Sequence, residues 1–210
     1  FGGLFPNPQI TSAALATITN RVQIRSGSTV APLHSPVRLA EDLAVIDQLS
    51  SGRVGIAMAS GWAPNDFVIL RDHYANRKQR TFDLVEQLRS LWRGDSVALE
   101  NGVGEMVEIA TQPRPVQETL PIWLTAATSP ETFAQAGRMG CHLLTHLLGQ
   151  DLQELSDKIA LYRRAWDDAG HRGRGTVSLM LHTFVGRDDE HARSVARGPM
   201  KGYLTTAISL

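Results

Sequence analysis

Residues 26–42 read SGSTVAPLHSPVRLAED: three small residues close an apolar run, Val22-Gln23-Ile24-Arg25, a proline-bounded corner follows at Pro32-Leu33-His34-Ser35-Pro36, and a helix-like run begins at Val37. A strand that ends in small residues and turns directly into a helix is the start of a βα unit, and the same alternation recurs along the chain. Strand-like runs occupy residues 22–25, 54–59, 122–126, 142–146 and 177–185, and helix-like runs follow most of them. Residues 39–49 put Leu39, Leu43, Ile46 and Leu49 on one helical face, with Gly52 just beyond the end. Residues 80–92 repeat the pattern with Phe82, Val85, Leu88, Leu91 and Trp92, and residues 151–166 with Leu152, Leu155, Ile159, Tyr162 and Trp166, stopped by Gly170. Residues 96–110 break the alternation, because Asn101-Gly102-Val103-Gly104 is a hairpin signal between two short strands. They are expected to form an excursion. Parallel βα units of this kind build either an open doubly wound sheet or a closed (β/α)8 barrel, and periodicity does not choose between them.

The composition narrows the function. Lys plus Arg and Asp plus Glu are 21 each among 210 residues, so no net field is present to hold a nucleic-acid backbone or an anionic membrane. A small-molecule ligand is expected. Cys141, the single cysteine, has no disulfide partner in the chain and no Cys-based metal site is expected, which fits a reducing, cytoplasmic compartment. No apolar run is long enough to span a bilayer. The chain opens at Phe1 without a methionine and stops at Leu210 inside a helical pattern, so it reads as a piece of a longer protein.

In either βα architecture ligands sit at the carboxyl ends of the strands, and here those ends are small and polar. Ser26-Gly27-Ser28 ends the first run, Ala59-Ser60-Gly61-Trp62 the second, Ala126-Ala127-Thr128-Ser129 the third and Thr145-His146 the fourth. Small residues admit a flat ligand to the backbone, and a Ser or Thr at a helix start offers a hydroxyl and free N–H groups to a phosphate; the same residues also serve as plain turns and N-caps. Ser129-Pro130-Glu131-Thr132 is a good helix start with or without an anion. Arg77 and Arg80, three apart, reach an anion together or form a solvated face. The histidines show no His-x-x-x-His with a Glu, and no Gly-x-Ser-x-Gly elbow, dinucleotide fingerprint or Walker loop occurs, so a metal hydrolase is not expected. His182, in an apolar run, reads as a core histidine. His146, at a strand end, is the better site candidate.

Five segments together resemble the flavin-dependent, bacterial luciferase-like monooxygenases, in particular the group associated with polyketide and nonribosomal peptide assembly lines. They are PLHSPVRLAEDLAVIDQLSSGRVGIAMASGWAPNDF, YANRKQRTFDLVEQLRSLWRGD, QPRPVQETLPIWLTAATSPETFAQAG, LLTHLLGQDLQELSDKIALYRRAW and VSLMLHTFVGRDDEHAR, and together they run from residue 32 to residue 193. The Pro-Leu-His-x-Pro-Val-Arg corner with Asp47-Gln48-Leu49-Ser50-x-Gly52-Arg53 carries the superfamily likeness, and Thr145-His146-Leu147-Leu148-Gly149-Gln150 the subgroup likeness.

The resemblance implies a TIM-like (β/α)8 barrel, here incomplete at both ends, that spans residues 1–210. It implies two further strands before Phe1, with the histidine associated with oxygen chemistry among them, and a further strand and helix after Leu210. It also implies a reaction in which reduced FMN, supplied by a separate flavin reductase, reacts with oxygen and one oxygen atom passes to a small-molecule or carrier-protein-bound polyketide or peptide intermediate. A homodimer is compatible with it. Gly27 and Ser28 would lie against the flavin ring, with a cis peptide there; Ser60, Gly61 and Trp62 would contact the flavin and its ribityl tail. Arg77, with Arg80 as a second candidate, and Thr128, Ser129 and Thr132 would hold the phosphate. Thr145 and His146 would border the flavin, His146 as the catalytic candidate within this chain. The alternatives are a deazaflavin (F420)-dependent oxidoreductase of the same superfamily and a non-catalytic flavin-binding fragment.

Overall fold

The computed structural model describes residues 7–208, so Phe1 and Leu210 lie outside the described residues. Among the described residues seven strands and six α-helices follow in chain order: α1 (Pro8–Ile18), β1 (Ile24–Val30), α2 (Pro36–Ser50), β2 (Val54–Ala59), α3 (Arg77–Arg93), β3 (Val97–Glu100), β4 (Met106–Ile109), β5 (Ile122–Thr125), α4 (Pro130–Arg138), β6 (His142–His146), α5 (Leu152–Asp168), β7 (Val177–Met180) and α6 (Asp189–Ile208). One five-stranded sheet has the order β1-β2-β5-β6-β7, with β1–β2, β2–β5 and β5–β6 parallel, and β3 and β4 form a separate antiparallel hairpin. The chain divides into two compact units, one ending at Leu179 and one beginning at Met180.

Strand alternation sorts the first unit's side chains into two layers. Val54, Ile56 and Met58 of β2, Ile122 and Leu124 of β5 and Leu143 of β6 point one way, into a core shared with Leu39, Leu43 and Ile46 of α2, Leu84, Val85, Leu88 and Leu91 of α3, Phe133 of α4 and Tyr162 of α5. The residues between them, Ala57, Trp123 and Leu144, form a second buried cluster on the other, inner face. Register pairs Ile56 with Ile122 and Trp123 with His142, which keeps the two sets in phase across the sheet.

The beginning of β2 is held by buried charge. The Asp47 carboxylate, fully buried on α2, accepts hydrogen bonds from the Val116 and Gln117 amides at 2.7 and 2.9 Å and from Gln117 Nε2 at 2.7 Å. Arg53 donates from Nε to the Ser50 carbonyl, from Nη1 to Thr19 Oγ1 and the Val22 carbonyl, and from Nη2 to the Ala16 and Thr19 carbonyls. It thereby closes the carboxyl end of α1, a helix absent from the sequence-based expectation. Asp47 and Arg53, the two ends of that motif, are therefore frame residues.

Several boundaries differ from expectation. The first strand is Ile24–Val30, so Ser26-Gly27-Ser28 lie inside it, at a register shift between Ser26 and Thr29. Helix α3 starts at Arg77, a turn earlier than its apolar pattern, and the last strand stops at Met180. Leu49 is 48% exposed, off the buried face of α2. In the second unit His182 is exposed and packs its ring against Tyr203, with centroids 4.5 Å apart, so it is not the core histidine its apolar surroundings suggested. No helix among the described residues is long and apolar enough to cross a membrane.

Candidate functional site

At the register shift in β1 two consecutive residues turn to the inner face. A Cβ built on Gly27 would stand 3.4 Å from Leu144 Cδ2 and 3.9 Å from Ala57 Cβ, above the inner cluster, and Gly27 itself is exposed. Ser28, next in the chain, hydrogen-bonds through its hydroxyl to Thr125 Oγ1 at 2.6 Å, reaching over β2 to β5. The Gly27–Ser28 peptide is cis. An apolar floor of Ala57, Trp123 and Leu144, a strand without a side chain at Gly27, and a half-buried hydroxyl pair at the edge form a surface suited to a flat ring with a polar rim. Thr125 escaped the sequence analysis, although alternation from Trp123 places it on the same face.

The second feature is the approach of two helix starts. Ser60, after β2, lines a narrow crevice with Thr125, Thr132 of α4 and Lys78 of α3. At the start of α4 the Ser129 side chain makes no capping bond, and at the start of α3 Asn76 Oδ1 accepts from Arg80 Nε at 2.8 Å in place of a backbone amide. By contrast α5 closes its own start with a reciprocal Asp151–Glu154 capping box. Two uncapped helix starts with hydroxyls and an ammonium between them have the donor chemistry of an anion site. Lys78 is the residue the sequence analysis passed over. It shares a helical face with Thr81 and Phe82, and that phase was its available signal.

The two arginines do not act as a pair. Arg77 donates from Nε to the Gly61 carbonyl at 3.0 Å and from Nη1 to the Tyr74 carbonyl at 2.9 Å, with its guanidinium 4.3 Å from the Tyr74 ring centroid. One nitrogen thus holds the turn after β2 and a second the segment that leads into α3. Arg80, one helical turn on, faces a different recess with His34, His73 and Asp83, away from the crevice. In that recess burial lowers the His34 pKa below its usual value, with Asp42 opposing the shift.

The remaining expected residues separate. Gly61 has φ +77°, and a Cβ there would fall 2.8 Å from Val30 Cγ1 and 3.0 Å from Phe67 Cε2, so its own turn requires glycine. Trp62 is 60% exposed. Thr128 is exposed, near Gly149, and Ser129 is half-buried. Thr145 is fully buried, its hydroxyl 3.4 Å from Gln150 Nε2, and alternation turns it into the helix layer, away from the inner face. His146 lies on the inner-face side of β6, with Nδ1 accepting from the Leu148 amide at 3.1 Å, so the neutral ring carries its proton on Nε2. At the opposite end of β6, His142 has its pKa lowered by burial and by the nearby Arg25 and Arg89 charges.

The family model for luciferase-like monooxygenases matches residues 1–208. The chain is 28% identical over 195 residues to the oxygenase component of the flavin-dependent trigonelline monooxygenase of Acinetobacter baylyi, covering 91% of this chain and 53% of that protein. It is 24% identical over 189 residues to the FMNH2-dependent dimethylsulfone monooxygenase of Pseudomonas putida, covering 88% and 50%. It is 26% identical over 199 residues to the F420-dependent glucose-6-phosphate dehydrogenase of Amycolatopsis mediterranei, covering 92% and 59%. Among solved structures, monooxygenase RslO1 of Streptomyces bottropensis superimposes with a TM-score of 0.86 at 24% identity, over 100% of this chain and 64% of that one. That likeness establishes the fold. The chain spans about half the length of the curated relatives it matches.

Proposed function

The chain belongs to the luciferase-like monooxygenase family, and from that premise we propose that it is the flavin-holding part of an FMN-dependent monooxygenase served by a separate flavin reductase. The substrate we assign is a polyketide or peptide intermediate, free or carrier-bound, on the subgroup likeness of residues 145–150. Residues 1–210 as one stretch of barrel, a homodimer and a cytoplasmic setting belong to the same proposal.

The observation that carries it is the inner floor at Gly27. The absent side chain there leaves open the space above Ala57 and Leu144, where a Cβ would meet them at ordinary contact distance, and the crevice of Ser60, Lys78 and Thr132 supplies donors for a phosphate. The crevice itself is no larger than a water molecule, so the phosphate would sit at its mouth beside exposed Lys78, and on that reading the residues present fit FMN on both counts. Bound and reduced, it would supply the electrons that activate O2. The chain's own part is positional: Gly27 and Leu144 under the ring, Ser28 and Thr125 at its polar edge, and Ser129, Thr132, Lys78 and the starts of α3 and α4 at the phosphate. Arg77 holds the Gly61 turn that carries Trp62, and His146 stands at the β6 end with its ring fixed by the Leu148 amide.

Titrations of FMN and riboflavin test this. Lys78→Ala should weaken FMN about tenfold, the scale of one charge-assisted hydrogen bond, and leave riboflavin unchanged because riboflavin has no phosphate. Equal weakening of both would remove the phosphate assignment. A second reading, a deazaflavin-dependent oxidoreductase, is favoured by the F420-dependent relative. Turnover with reduced F420 but no oxygen uptake with reduced FMN would put it first.

A further inference from the structure

We propose that the Ser28–Thr125 hydroxyl pair is the group that recognises the polar edge of the bound ring, by donating one hydrogen bond to a ring acceptor. The inference rests on the flavin reading above and adds a residue, Thr125, and a chemical role to it.

The argument is a count of protons. Each hydroxyl has one donor and two acceptor positions, and the two oxygens, 2.6 Å apart, share one hydrogen bond. That bond uses one proton of the two. Neither hydroxyl makes another hydrogen bond among the described residues, so one O–H and three lone pairs remain for a ligand. Both residues are half-buried, so water or a ligand reaches them; their inner-face neighbours Ala57 and Leu144 are apolar, and Thr125 also borders Ser60, Lys78 and Thr132 without a hydrogen bond to any of them. The outer hydroxyls of the same strand differ. Thr29 Oγ1 is buried between Ser26 Oγ at 3.2 Å and Gln9 Nε2 at 3.4 Å, inside the protein.

The span matters as much as the count. Ser28 and Thr125 belong to β1 and β5, which are not neighbours, and their bond crosses over β2 where it carries only small side chains, Ala57 and Ala59. Larger residues on β2 would keep the hydroxyls apart. The pair's two oxygens are therefore held in place by two strands, while the spare proton turns about its C–O bond toward an acceptor. A donor oxygen held beside an apolar floor selects flat heteroaromatic ligands with an acceptor on the edge, which a purely hydrocarbon ring lacks.

The test uses the full chain with FMN, riboflavin and the shape-preserving variant Thr125→Val. Because Thr125 also lines the crevice with Ser60, Lys78 and Thr132, the two flavins separate ring from phosphate: affinity for both should fall about tenfold and by the same factor, and the visible bands of bound oxidised flavin should shift. Thr125→Ser should restore both. Thermal melts of the free protein accompany each titration, and Ser28→Ala, which removes the other half of the pair, is the second variant should Thr125→Val fail to fold. Wild-type affinity and spectrum in Thr125→Val or Ser28→Ala overturn the inference, as does weakening of FMN alone. Wild-type protein that binds neither flavin overturns the flavin reading as well, which separates the two failures.

Discussion

Gly61→Ala separates a ligand-contact role from a folding role for the turn after β2. At φ +77° a residue other than glycine costs about 1 to 2 kcal/mol in the backbone alone. The new Cβ would also lie 2.8 Å from Val30 Cγ1 and 3.0 Å from Phe67 Cε2, and overpacking of that kind costs about 1 to 3 kcal/mol. The sum, about 2 to 5 kcal/mol, corresponds to a fall of roughly 5 to 15 °C in Tm for a chain of this size. Melts of the flavin-free protein measure it. The double variant Val30→Ala/Gly61→Ala relieves the closer contact and should recover part of the packing loss but none of the backbone loss. Folded Gly61→Ala, held well below its Tm, should bind FMN within a few-fold of wild type. A variant that melts like wild type yet loses flavin would refute the reasoning, because the space beside Gly61 would then belong to the ligand.

Three other outcomes follow from particular contacts. Arg77→Ala should lower the Tm of the flavin-free protein, since it releases the Gly61 and Tyr74 carbonyls, whereas exposed Lys78→Ala should not; equal melts would mean that Arg77 does not hold the turn. Arg53→Lys keeps the charge but cannot serve five acceptors, and should cost about 2 to 4 kcal/mol in chemical denaturation. His142 and His34 have folded pKa values lowered mainly by burial, so the unfolded chain takes up protons first: stability present above the unfolded value of 6.5 is lost as pH falls below it. Replacing both with Gln should flatten the profile of stability against pH between 5 and 7, and an unchanged slope would show that other groups carry it.

The βα alternation was legible because the buried layer follows simple periods. Leu39, Leu43 and Ile46 on α2 and Ile56 and Met58 on β2 repeat as a one-sided helix and an alternating strand must. What escaped was set by contacts distant in sequence. Helix α1 has a weak apolar stripe and owes its carboxyl end to Arg53, more than thirty residues away. Residues 26–28 look like the end of a strand because small residues usually mark turns, yet pairing with β2 carries the strand through them to Val30. The site was half legible for the same reason. Composition picks out serines, glycines and arginines at strand ends, but only the register says that Thr125 and not Thr145 faces inward, and only helix phase says that Lys78 and not Arg80 meets Ser60.

The two ends of the sheet treat polar groups in opposite ways, and that contrast bears on whether the chain is merely a scaffold. Where β2 begins, the buried charges are saturated: Asp47 has three donors and Arg53 five acceptors, all within the protein. Folding alone demands this, since an unsatisfied buried charge costs several kcal/mol. Where β1, β2 and β5 end, the protein leaves capacity unspent: a hydroxyl proton on the Ser28–Thr125 pair, a lysine beside Ser60 and Thr132, and helix starts at α3 and α4 without a side-chain cap. Open starts alone do not mark a ligand, since α2 also begins at Ser35 without a side-chain cap while α5 closes its own start completely; the lysine and the hydroxyl pair beside α3 and α4 are what set this end apart. Donors left open at one end, with the satisfied charges at the other, are the groups the proposed flavin site would use.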